Sequence, residues 1–187
     1  MIGMQRSEPP EVIGKVRQPV ESSTSDLNDP RWIALVDAQR ELIARQAELN
    51  RAPEAAKVVA AALRSGRAWN TATALDFLRS FPHYAPSILG AVLGRAISHN
   101  WARDAQEVIA SANRESVLAG LRTLVPAYLE TKDAEMYHSI AGVLVRVEAW
   151  DLLSALVSEA LESSDLEIVE AGESFREQYG PMLEAGR

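Results

Sequence analysis

Apolar residues recur in this chain every 32 positions. Leu121 aligns with Leu153, Val125 with Val157, Leu129 with Leu161, and Asp133 with Asp165. One step earlier Leu89, Leu93, Ile97 and Trp101 fall in the same register, and a further step places Trp69 beneath Trp101. A period of this length is one supersecondary unit, which cannot hide its apolar face alone and must stack on its neighbours. Within each period the apolar residues follow three- and four-residue helical spacing and no convincing strand pattern occurs, so the unit is a pair of helices. The stretch "SSD" at 163–165 echoes "TKD" at 131–133. Its Asp is the punctuation between the two helices, where a carboxylate accepts bonds from free amides and favours the positive end of the next helix dipole.

The repeat units run over 54–82, 85–114, 116–148 and 150–180, after an N-terminal helix over 30–50. That helix opens at Asp29 and Pro30, a cap and a first-turn proline, and carries a stripe of Trp32, Leu35, Val36, Leu42, Ile43, Ala47 and Leu49. Residues 1–28, with Pro9, Pro10, Pro19 and "ESSTSD", read as a flexible tail, or alternatively as a docking arm built on Val12, Ile13, Val16 and Val20. A single helical-repeat domain is expected over 29–180, with 181–187 as a C-terminal tail.

The first helix of each pair has a strong aliphatic stripe, and the second has small residues ("ASA", "IAG", "EAG") where neighbours approach closely. With the Asp-containing turn between them, this pattern resembles HEAT-like helical repeats. The resemblance implies an all-α fold, a right-handed α-solenoid of antiparallel helix pairs, with second helices lining its concave face. The Val-Arg pair usual in such second helices is missing, and "LEIVEAG" has Glu170 where Arg is common. An irregular all-helical bundle, which the same hydrophobic period would serve, therefore stands as the alternative.

With 187 residues, 47% of them hydrophobic and 24% charged, the chain can bury one sizeable core. It has no cysteine, which excludes disulfides, thiolate metal sites and thiol nucleophiles. No basic region is followed by a continuous apolar run, and no apolar run approaches membrane-spanning length, so a cytoplasmic protein without membrane association is expected. Abundant Ala and the preference for Arg over Lys suggest a GC-rich bacterial genome. The net charge of -7 is concentrated near the C-terminus, where residues 148–187 hold ten acids and two bases. No Lys/Arg cluster suited to phosphate binding occurs, so no nucleic-acid partner is expected.

The chemistry-bearing residues form no recognisable catalytic or metal motif. His83, His99 and His138 are scattered, without HExxH or HxH spacing, and no metal or other cofactor is expected. His99 and Asp104, five residues apart, are a poor base and orienter. There is no GxSxG, and Gly90 and Gly94 lie within a helical stripe, where they suit close packing. Trp69 and Trp101 are expected to pack against their preceding turns, the other reading being a protruding indole as a binding anchor.

The informative pattern is acidic. Glu167, Glu170, Glu173 and Glu177 recur at helical spacing in the last second helix. Equivalent positions in earlier units give one column of Arg103, Glu135 and Glu167 and another of Gln106, His138 and Glu170. If second helices line a concave face, these eight residues form a polar, C-terminally acidic surface for a protein partner with a basic surface. The expected function is a non-catalytic protein-binding module, either a toxin-neutralising immunity protein or an adaptor or assembly factor. The alternative is a ligand-binding or enzymatic helical domain with a pocket near Tyr137, His138 and Glu170.

Overall fold

A computed structural model describes residues 27–130 and 133–185. The expected N-terminal tail, apart from its last two residues, and the end of the C-terminal tail lie outside the described residues. Among those described there are nine α-helices and no strand: α1 (Pro30–Arg51), α2 (Ala55–Arg64), α3 (Ala68–Ser80), α4 (Leu89–Ala96), α5 (Ala102–Ser111), α6 (Arg114–Leu129), α7 (Ala134–Arg146), α8 (Trp150–Leu161) and α9 (Leu166–Ala185). A 3-10 segment, Pro82–Ile88, separates α3 from α4. None of these helices is long and apolar enough to cross a membrane.

The chain divides into two compact units between Ala44 and Arg45, inside α1. In the first unit, Asp29 accepts the Arg31 N–H at 2.8 Å and Pro30 takes the first helical position, where a missing N–H costs nothing. None of the 22 residues of α1 is buried. Its apolar stripe lies open, with Leu35 60% exposed, Ile43 56% and Trp32 48%.

The second unit holds one continuous core, running from Val59 in α2 to Leu183 in α9. The 32-residue register is its skeleton: Leu89, Leu93, Leu121, Val125, Leu153 and Val157 are all buried within it. The helices pair as α2 with α3, α4 with α5, α6 with α7 and α8 with α9, each pair joined by three to five residues. The second helices also touch in succession, α3 to α5 to α7 to α9, and the first helices likewise, α2 to α4 to α6. Besides the Tyr137 phenol, Thr71 is the one buried polar side chain among the described residues.

The turns follow from their residues. Gly66, at φ 70, follows α2 in the left-handed region that a residue without Cβ enters freely. After α7 the same role falls to Glu148, at φ 54. There the Ala149 N–H reaches the Leu144 carbonyl at 2.9 Å and the Glu148 N–H reaches the Val145 carbonyl at 3.0 Å, a Schellman closure. Arg114, at the start of α6, donates to the next two carbonyls, Val147 at 2.9 Å and Glu148 at 3.0 Å. Close packing accounts for Gly172, where an added Cβ would lie 2.9 Å from Ala160 Cβ on α8. Helix α9 continues through Pro181, past the expected end at Gly180, and Leu183 is buried in the core.

Candidate interaction surface

The two Asp turns orient the starts of α7 and α9 in the same way. Asp133 Oδ1 accepts the Glu135 N–H at 3.0 Å, and Asp165 Oδ1 accepts the Glu167 N–H at 2.9 Å. Each carboxylate satisfies an amide that has no partner inside its helix. Arg103, Glu135 and Glu167 are consequently the second residues of α5, α7 and α9, while Gln106, His138 and Glu170 are the fifth. Glu135 and Glu167 also sit in the first turns, where negative charge is favoured.

Between α5 and α7 lies an open depression of about 410 Å³, lined by the end of α4, His99, Gln106, Glu135, His138 and Ser139. It brings together three of the eight expected residues, Gln106, Glu135 and His138. Gln106 is partly committed to structure, since its Nε2 donates to the Ala96 carbonyl at 3.3 Å. Glu135 Oε1 lies 3.4 Å from His99 Nδ1, and the His138 ring rests against Phe175 of α9 with centroids 5.5 Å apart. Arg103 lies outside the depression, exposed, with its Nε 3.3 Å from Glu107 Oε1.

The acidic end lies on α9. Glu167, Glu170, Glu173 and Glu177 are all exposed. Among the described residues Glu173 alone of the four has a basic partner, Arg176 at 3.8 Å. Helix α9 therefore presents three exposed carboxylates without a described basic partner, and the depression between α5 and α7 holds two imidazoles and a further carboxylate. Such an array accepts hydrogen bonds from guanidinium and ammonium groups.

Tyr137 turns away from this face. It is buried, and its hydroxyl donates to Glu159 Oε1 on α8 at 3.1 Å. Burial, and secondarily the Glu159 carboxylate, push the phenol up to about 12. Asp104 is engaged by Arg79 of α3, so it does not orient His99.

His99 is the titratable lining residue that the column argument missed. It belongs to the α4–α5 connection, and helical spacing carries no information about which way a connection folds. The tryptophans also separate. Trp101 is partly buried against the core, whereas Trp69 is 85% exposed. Trp101 precedes α5 while Trp69 is already the second residue of α3, because the α2–α3 connection is shorter than the α4–α5 one. The expected packing of Trp69 therefore fails through a local slip in register.

No group of three or more His, Asp or Glu residues among those described is placed to hold a metal ion. Set beside protein-family models, curated proteins and solved structures, the chain matches none of them.

Proposed function

We propose that residues 29–180 form a HEAT-like right-handed α-solenoid that binds a protein partner with a basic surface through its second-helix face, without catalysing a reaction. Support for the array comes from the pairing of successive helices and from the contacts of each second helix with the next. The observation that carries the binding reading is the exposed α9 row of Glu167, Glu170, Glu173 and Glu177, with Glu135 and His138 likewise exposed on α7. Like charges at three- and four-residue spacing destabilise a helix slightly, so such a row is not what stability alone selects. An acidic strip also accelerates encounter with a basic surface and favours one orientation of docking. Masking of a basic active site, as a toxin-neutralising immunity protein does, and assembly with a basic protein both use this chemistry.

The test is a triple change, Glu170→Gln, Glu173→Gln and Glu177→Gln. It preserves helix propensity and should raise stability by a few tenths of a kcal/mol per relieved pair. Wild-type and triple-variant proteins serve as baits in the native extract, and the captured partner is then titrated at low and high salt. The reading expects a basic partner, weaker binding by the folded triple variant and a flatter salt dependence. Equal low-salt affinity of the two proteins would remove the acidic face from the binding site.

A further inference from the structure

Four rings follow one another where α7, α8 and α9 meet. His138 of α7 rests on Phe175 of α9 with centroids 5.5 Å apart, and Phe175 stacks on Tyr179, one turn further along α9, at 6.1 Å and an interplanar angle of 18°. Tyr179 in turn meets Trp150, the first residue of α8, at 6.1 Å. One repeat period earlier the same positions hold Gln106, Val143, Val147 and Leu118, and both valines are buried. The last helix pair thus exchanges three aliphatic side chains for Phe175, Tyr179 and Trp150, which are only half-buried. Packing a second helix onto its neighbours needs apolar area at these positions, but valine supplies it in α7, so packing alone does not call for rings. The exposed His138 end of the strip lines the depression between α5 and α7, and the strip therefore borders the candidate surface.

The charges beside the strip select a cation. At about 100° per residue, Glu167, Ser174 and Gln178 form the flank of α9 next to Phe175 and Tyr179, and Glu135 lies one turn before His138 on α7. The arginines of these two helices line other depressions, Arg146 beside the α5–α6 connection and Arg176 between α8 and α9. Ring faces carry negative potential and attract cations, and a guanidinium, planar and weakly hydrated, stacks on them better than a strongly hydrated ammonium. We propose that this strip binds arginine side chains of a protein partner, their guanidinium planes laid on the Phe175, Tyr179 and Trp150 rings. The proposal rests on the basic partner inferred above and adds the requirement that its basic surface present arginine rather than lysine.

The probes are end-blocked tetra-arginine and tetra-lysine peptides, equal in charge, titrated into the full chain by calorimetry. The wild-type protein should bind the arginine peptide about two- to fivefold more tightly than the lysine peptide. The Hδ protons of the bound arginines should move upfield under the ring currents, a readout that needs no variant. Tyr179→Leu, alone and with Phe175→Leu, should remove the preference and leave lysine-peptide affinity unchanged, with the far-ultraviolet spectrum reporting that the helices are intact. Neutralising Glu170, Glu173 and Glu177 to Gln should weaken both peptides alike. Failure of the acidic-face reading therefore shows as unchanged affinity in that triple variant, whereas failure of the present proposal shows as equal affinity of the wild type for the two peptides. Absent upfield shifts, a preference that survives in the folded Leu variants, or no binding of either peptide at about 5 mM likewise overturns the proposal.

Discussion

Raising the pH should destabilise this protein in a window set by Tyr137. Its phenol is buried and donates to the Glu159 carboxylate at 3.1 Å, and the folded state holds its proton up to about pH 12. An unfolded tyrosine loses its proton near pH 10. Between these values the unfolded chain binds fewer protons than the folded one, so stability falls as pH rises. The contribution is whole below about pH 10 and is lost progressively toward about pH 12. A difference of two pKa units caps it at about 2.7 kcal/mol. Glu159 is exposed, and solvent around it reduces this to roughly 1–2 kcal/mol.

The assay is urea unfolding of wild type and Tyr137→Phe from pH 7 to 11, taken as a difference so that other titrating groups cancel. At pH 7 the variant should be less stable by about 1–2 kcal/mol, the cost of a hydrogen bond to a charged acceptor. Above about pH 10 the gap should shrink, because only the wild type loses this contribution. Below about pH 11 the folded variant should show nearly the same tyrosinate absorbance as the wild type, because burial holds the Tyr137 proton up to about pH 12. A gap that stays constant from pH 7 to 11 would refute the proton-linked account of this pair.

Four further substitutions test the caps, the turns and the packing. Asp165→Ala should cost about 1 kcal/mol, read from the urea midpoint, by removing the carboxylate that receives the Glu167 N–H. Gly172→Ala should destabilise by about 1 kcal/mol, since overpacking against Ala160 outweighs the better helix propensity of Ala. Gly142→Ala is its control: the new methyl meets nothing nearer than Gln106 Nε2 at 4.0 Å, and stability should rise by roughly 0.5–1 kcal/mol. Glu148→Gly should raise the melting temperature by relieving a left-handed residue that costs roughly 1–2 kcal/mol, less the greater freedom of Gly in the unfolded chain.

The helices were legible because each carries a local signal. The leucine and valine columns are buried where the period places them, apart from the half-buried Leu161, and Asp133 and Asp165 bond the amides their positions suggested. Contacts made in three dimensions by connections were not legible. His99, in the α4–α5 connection, reaches Glu135 from a segment whose path helical spacing does not describe. Nor does an apolar stripe say whether its own chain covers it: the spacing in α1 is as good as that in α6, but α6 buries Val117, Leu121, Val125 and Leu129 while α1 buries nothing. Trp69 shows a further limit, since a two-residue change in a connection alters which side of a helix its first turn presents. For the candidate surface, the columns could be written from sequence, but the depression depends on how far α5 and α7 stand apart.

The helices that pack together are neighbours or next-but-one neighbours along the chain, and this governs how the molecule can be assembled. Closing a short loop is entropically cheap, so local pairing favours rapid folding without a prolonged search among distant segments. During synthesis, α2 through α5 can find their partners before α8 and α9 have left the ribosome. Amide exchange would then report a gradient, with the slowest protons in α4 to α7, flanked on both sides, and the fastest in the outermost helices.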